Sequence, residues 1–164
     1  MNQIHRLYCI FLLLILGGCH QWAEGYMSST QLFDALNKIH AKASGDMLTQ
    51  AKLKHVLIIP YRSCGLCVEK SFNFVRNHYL QDFDDQTLVV ITNFFSPKRI
   101  TIELGKAIIE HPSVLLDTEN ILYHEGLGVQ SPTAIFIEDN SIKDVIIGTP
   151  QMIGNMLQEL EQAL

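Results

Sequence analysis

Short runs rich in apolar residues recur along the chain, separated by segments in which apolar residues repeat with helical spacing. The runs cover residues 55–59, 87–92, 113–116, 133–138 and 142–147. The runs over 55–59 and 87–92 predict buried strands, and the other three runs predict strands as well. The last two are separated only by Asp139-Asn140-Ser141, which predicts a turn and an antiparallel hairpin.

The spacing between these runs predicts helices over about 29–44, 64–80, 97–109 and from Thr149-Pro150 to the C-terminus. Ser28 and Gln31 form a capping box for the first helix, and Gly45 follows it as a C-cap. Strands that alternate with helices predict an α/β domain in helix–sheet–helix layers. We expect a mostly parallel sheet with a C-terminal antiparallel hairpin, and irregular structure over 120–129.

The N-terminus has the pattern of an export signal. Residues 7–16 are an apolar run of ten that follows Arg6. A helix of that length rises about 15 Å and is too short to span a bilayer core of roughly 30 Å. A charged residue, a short apolar run and then small residues are typical of a cleaved signal peptide, which takes no part in the fold.

The segment Leu16-Gly17-Gly18-Cys19 resembles the lipobox of bacterial lipoproteins. The resemblance implies cleavage of residues 1–18, acyl chains on Cys19, a tether over 19–28 and a folded domain over 29–164. Stable anchoring needs more than one acyl chain. In Gram-negative lipoproteins, a residue other than aspartate after the lipidated cysteine favours sorting to the outer membrane. His20 stands at that position. The alternative is a plain signal peptide that is cut elsewhere, with Cys19 incidental.

Chain length, net charge and the number of cysteines limit the classes of function that this protein can have. The chain of 164 residues suits one domain, and 12 Lys and Arg against 17 Asp and Glu give a net charge of −5. An acidic chain without a basic run argues against nucleic acid as a partner. Removal of the signal and lipidation of Cys19 would leave Cys64 and Cys67 as the remaining thiols, in an export compartment where disulfides persist.

The motif Cys64-Gly65-Leu66-Cys67 follows a predicted strand and opens a predicted helix. The unpaired N–H groups and the dipole of a helix N-terminus stabilise a thiolate, which is the reactive form in thiol exchange. The spacing places Cys67 one turn after Cys64. We therefore expect Cys64 to be the nucleophile and Cys67 the resolving thiol, with Gly65 allowing a tight turn beside the sulfur.

The cysteine pair has other interpretations. Two cysteines could be half of a zinc site, but no second pair is present to complete four ligands. The pair could be a structural disulfide or two buried thiols. Copper-delivery proteins of similar fold use two cysteines and a histidine, for which His124 is the candidate, but with a longer cysteine spacing. The prediction is therefore that the site holds no metal.

The chain from His55 onward resembles the thioredoxin-like superfamily, in particular its membrane-tethered, TlpA-like or redoxin-type lipoproteins. The matching segments are HVLIIPYRSCGLC, TLVVIT, SVLLD and GVQSPTAIFIEDNSIKDVIIG. The resemblance implies a cis peptide before Pro132 beside the cysteines, and pairing of the Ser131 backbone with an extended substrate. The alternative is an ordinary strand-initiating proline.

This sequence departs from the family pattern close to the cysteines. Ser63 stands where an aromatic residue is usual before the first cysteine, and Gly65-Leu66 replaces the common Gly-Pro. The preceding strand is wholly apolar, so the buried acid that aids proton transfer in thioredoxins has no counterpart in that strand. A peroxidatic site, as in peroxiredoxins, has a threonine three residues before the attacking cysteine. Tyr61 stands at that position before Cys64, which argues against a peroxidatic site.

The sequence therefore predicts a membrane-anchored thiol–disulfide oxidoreductase of the cell envelope. Cys64, Cys67 and Pro132 form the catalytic set, and Ser131, Gly65 and Leu66 contact the substrate. The redox-active cysteine pair needs no further cofactor. The expected partners are exported protein thiols or disulfides, with the membrane bound through lipid at Cys19. The alternative is a non-catalytic binding lipoprotein of the same fold, with a structural disulfide.

Overall fold

The computed structural model describes residues 28–45, 48, 52–81 and 83–164, and these residues form one five-stranded sheet between two layers of helices. The strands are β1 (His55–Pro60), β2 (Thr87–Thr92), β3 (Val114–Leu116), β4 (Thr133–Glu138) and β5 (Ser141–Ile147). The helices are α1 (Ser29–Ser44), α2 (Gly65–His78), α3 (Pro97–Leu104), α4 (Lys106–Ile109), α5 (Ile121–His124) and α6 (Ile153–Ala163). The predicted signal, the predicted lipidation site Cys19 and nearly all of the predicted tether lie outside the described residues.

The strand order in the sheet is β3-β2-β1-β4-β5. Strands β1, β2 and β3 pair in parallel, whereas β4 is antiparallel to both β1 and β5. Four strands therefore run in one direction and β4 alone runs against them. This arrangement, with helices on both faces, is thioredoxin-like and confirms the predicted fold class.

The central strands β1 and β2 are covered on both faces, which explains their apolar sequences. Successive side chains of a strand point to opposite faces. In β1, Val56 and Ile58 pack with α1 and α5, while Leu57 and Ile59 pack with α2, α3 and α6. All four side chains are fully buried. With both faces occupied by core, polar chemistry is confined to the ends and edges of the strands.

Two local breaks differ from the predicted elements. The predicted helix over 97–109 is divided into α3 and α4 at Gly105, whose φ of 93° lies outside the helical region and is accessible to glycine. The last helix begins at Ile153, because Thr149 starts a turn in which its carbonyl accepts hydrogen bonds from the N–H groups of Met152 and Ile153.

The segment over 120–129 contains a short helix, α5, that the sequence pattern did not predict. Asp117 forms this structure from a buried position, with only 2% of its surface exposed. Its carboxylate accepts hydrogen bonds from Ile121 N at 2.7 Å, Leu122 N at 3.1 Å and Thr92 Oγ1 at 2.9 Å. One side chain thus caps α5 and ties it to the end of β2.

We predict that Asp117→Ala lowers the free energy of unfolding by about 2–4 kcal/mol, because three buried donors lose their acceptor. Asp117→Asn keeps one acceptor oxygen and should cost about half as much. Urea denaturation of the two variants beside the native chain measures both values. A loss below about 0.5 kcal/mol in the alanine variant would contradict this role for the carboxylate.

Candidate active site

The two cysteines of the motif meet at the first turn of α2. Strand β1 ends at Pro60, and a turn closed by a 3.0 Å hydrogen bond from Ser63 N to the Pro60 carbonyl leads to Cys64. Cys64 is the N-cap residue of α2, and its Sγ accepts a hydrogen bond of 3.4 Å from Cys67 N. The structure therefore brings the two cysteines together at a helix N-terminus, where backbone donors lack helical partners.

The two thiols differ in depth and in acidity. Both are free, with Cys64 half-buried and Cys67 fully buried. Hydrogen bonds from the Cys67 thiol and then from the Cys67 backbone N–H hold the pKa of Cys64 below its ordinary value. Burial, followed by the hydrogen bond to Cys64, raises the pKa of Cys67 to about 11. Cys64 is thus the more acidic of the two thiols, and Cys67 retains its proton at neutral pH.

A polar contact anchors the turn that precedes Cys64. Tyr61 Oη donates a hydrogen bond of 2.5 Å to Glu103 Oε1 on α3, and Arg99 Nε donates to the same oxygen at 3.1 Å. The Tyr61 ring stacks on Phe72 of α2 at a centroid distance of 6.0 Å. The hydrogen bond to Glu103 raises the pKa of Tyr61, so the phenol stays protonated and keeps donating. The turn is therefore fixed to both neighbouring helices.

This anchor was not predicted from the sequence. The sequence pattern singled out Tyr61 only because it stands where a peroxidatic site would have a threonine. Its partner Glu103 forms an i,i+4 ion pair with Arg99, a spacing that the sequence does display. No local pattern, however, joins that pair to a residue 42 positions earlier in the chain.

Ser131 and Pro132 lie at the same end of the sheet as the cysteines. Thr133 is opposite Ile58 in the pairing of β4 with β1, so the residues before β4 adjoin the end of β1. Pro132 is buried and Ser131 is half-buried. The Pro132 carbonyl accepts a 2.7 Å hydrogen bond from Gly148 N, which ties this segment to the end of β5.

The expected cis peptide before Pro132 is wrong for this structure. None of the peptide bonds in the described residues is cis. Trans is the ordinary preference of an X–Pro bond by about 0.5–1 kcal/mol. The local hydrogen bonds are formed with the trans bond in place, since Thr133 Oγ1 donates to the Ser131 carbonyl at 2.9 Å.

A groove of about 540 Å³ adjoins the cysteine motif. It lies between the turn before Cys64, the end of β2 and the segment from α5 to β4. Its lining includes Arg62, Ser63, Asn93, Asn120, His124 and Gln130. Of these, the sequence pattern singled out only Ser63 and His124. Asn93 and Asn120 adopt positive φ angles of 55° and 53°, a conformation that asparagine tolerates and that signals a turn in the sequence.

Metal binding and membrane spanning find no support among the described residues. That part of the chain holds no group of three or more His, Cys, Asp or Glu side chains arranged to bind a metal ion. None of the helices over the same residues is long and apolar enough to span a bilayer.

Comparison with known protein families and with curated proteins gives no match. Among solved structures, the chain is similar to the solution structure of a proposed thioredoxin from Neisseria meningitidis. The two are 19% identical over 72% of this chain and 79% of the other, with a TM-score of 0.46. The fold assignment above rests on the strand order and directions of this chain.

We predict that alkylation of the reduced native protein labels Cys64 first. The labelling rate should rise with pH to a midpoint below about 8.5, the pKa of an ordinary cysteine, because only the thiolate reacts. Cys67 should stay unlabelled at neutral pH, since its pKa is about 11 and its side chain is buried. Mass spectrometry of the digested protein assigns each label. Equal labelling rates for the two cysteines in the native protein would contradict the predicted difference in reactivity. In a parallel control, denaturant should make the two labelling rates equal.

Proposed function

We propose that this chain is a thiol–disulfide oxidoreductase that exchanges a Cys64–Cys67 disulfide with protein thiols outside the cytoplasm. One observation carries the proposal. The half-buried Cys64 sulfur caps α2, and the thiol of Cys67 lies buried beside it. A partly accessible, more acidic thiol beside a buried, protonated second thiol is the arrangement that a two-step exchange requires.

In the first step, the Cys64 thiolate attacks one sulfur of a substrate disulfide. A mixed disulfide forms between Cys64 and the substrate, and the other substrate sulfur leaves as a thiolate. In the second step, Cys67 loses its proton and attacks the Cys64 sulfur. The Cys64–Cys67 disulfide forms and the second substrate thiolate leaves, so two electrons pass from the protein to the substrate. The reverse sequence oxidises a substrate dithiol.

The surroundings of the pair support a role in substrate contact for the predicted neighbours. Leu66, between the cysteines, is 49% exposed, and a Cβ added at Gly65 would meet no atom within 4 Å. The approach to Cys64 is therefore open on this side. Ser131, at the adjoining end of β4, offers backbone groups to an extended substrate, and the buried Pro132 fixes their position.

Cys19 supports a proposal about location. The lipobox-like sequence before it is the basis for an anchor on a bacterial envelope membrane, with the outer membrane favoured. A short tether would then hold the domain near the membrane surface. Exported proteins with exposed thiols or disulfides are the substrates available there.

We predict that Cys64→Ser abolishes reduction of a disulfide-containing protein substrate, leaving only the uncatalysed rate, because no other accessible thiolate among the described residues is positioned to attack. Cys67→Ser should retain the first step and accumulate mixed disulfides, since the resolving thiol is lost. Non-reducing electrophoresis and mass spectrometry of the trapped adducts measure both results.

A redox titration of the native pair complements these variants. We expect a reduction potential between about −120 and −270 mV, the range of working exchange proteins. A potential below about −300 mV, together with unchanged partner binding in the Cys64→Ser variant, would instead identify a binding protein with a structural disulfide.

We predict that the chain expressed in bacteria incorporates a fatty-acid label and fractionates with membranes, and that Cys19→Ser loses both properties. Removal of the only proposed acylation site leaves no lipid to hold the mature domain. Cys64→Ser serves as the matched control and should keep the label. An unlabelled native chain that is released as a soluble protein would contradict the anchor while leaving the exchange chemistry untouched.

A further inference from the structure

The groove beside Cys64 contains one cation with no carboxylate partner among the described residues. Arg62 lies two residues before Cys64, is exposed and lines the groove. Its guanidinium stacks on the ring of Phe95 at 4.2 Å from the centroid, and Phe95 is itself 78% exposed. Stacking holds the planar group in place while its N–H edge remains able to bind an anion.

The nearby carboxylates are occupied by other partners. Glu119 pairs with Lys42, and Glu125 pairs with Lys38 at 2.5 Å. Glu103 accepts from Tyr61 and Arg99, and the buried Asp117 accepts from three donors. Arg62 is the one formally charged side chain among the residues that line the groove, in a chain whose net charge is −5.

Three of the other lining residues suit a peptide backbone. Asn93, Asn120 and Gln130 each present a side-chain amide, which offers both donors and an acceptor to peptide groups. Asn120 also accepts a hydrogen bond from Asn93 N at 3.1 Å, which joins the two walls of the groove. Ser63 Oγ is shielded from solvent with no hydrogen-bond partner among the described residues. A volume of about 540 Å³ lies within the range of ligand sites, about 300–1,000 Å³.

We propose that this groove selects peptide segments in which an acidic side chain lies next to the reactive cysteine, with Arg62 binding the carboxylate. The inference rests on the proposed exchange function and names its substrate class. The attack of the Cys64 thiolate and the resolution by Cys67 are unchanged. Arg62 acts by holding the substrate disulfide within reach of Cys64, and it is a specificity residue that takes no part in the electron transfer.

The test measures oxidation of the reduced full-length protein, in detergent, by symmetrical disulfides of short capped peptides. The peptides differ only in carrying Glu, Gln or Lys on either side of the cysteine. Each rate is divided by the rate of the same disulfide with dithiothreitol, which removes differences in intrinsic reactivity. We expect Glu peptides to react about fivefold faster than Gln peptides, the upper range for an exposed ion pair, and Lys peptides to react slowest.

Arg62→Gln should remove the preference for Glu, and Arg62→Glu should reverse it towards Lys. Lys70→Gln is the matched control, because it removes an exposed positive charge three residues after Cys67 and outside the groove. The Lys70→Gln variant should change the rates with all the peptides by the same factor, so that the ratio of the Glu peptide rate to the Gln peptide rate is preserved. The Gln peptide serves as an internal reference for folding and thiol reactivity in every variant.

The outcomes separate this inference from the function on which it rests. No reaction with any disulfide, peptide or small, would overturn the proposed function. Reaction with a Glu to Gln ratio that Arg62→Gln leaves unchanged would overturn only the role of Arg62. A preference for the small anion dithiodipropionate over neutral bis-hydroxyethyl disulfide, without any preference among peptides, would overturn the peptide as occupant in favour of small acidic sulfur compounds.

Discussion

Burial of both faces of the central strands of the sheet is the constraint on which the rest of this structure depends. The side chains of β1 and β2 are apolar on both faces because helices cover each of them. An uncompensated polar group in that interior would be costly. Reactive groups therefore collect where strands end, and the cysteine motif, the Ser131-Pro132 segment and the polar groove all lie at one such end.

The difference between the two thiols follows from their positions in one helical turn. Cys64 caps α2 and remains accessible, whereas Cys67 turns into the core that the helix shares with the sheet. The same hydrogen bond acts in opposite senses on the two groups, since it stabilises the thiolate of the acceptor and retains the proton of the donor. The fold thus assigns different roles to two chemically identical side chains through a difference in depth.

Sequence reasoning succeeded where the signal is local and failed where it depends on contacts across the fold. The capping box at Ser28, the buried strands and the strand-to-helix position of the cysteines depend on neighbouring residues, and the structure contains each of them. The expected cis bond at Pro132 came from the family resemblance, and the structure has the ordinary trans bond instead. The hydrogen bond from Tyr61 to Glu103 and the capping of α5 by Asp117 join distant segments or depend on burial. Phe95 has no local pattern that associates it with Arg62.

The two edges of the sheet limit how another protein can bind. Strand β3 has only three residues, and β5 carries the charged pair Lys143 and Asp144, of which Lys143 is the extra residue at a β-bulge in the pairing of β5 with β4. Lys143 also pairs with Glu138 at 2.8 Å. Short or charged edge strands discourage the addition of a further strand from another chain. Neighbouring copies of this chain at high local concentration would thus resist edge-to-edge aggregation.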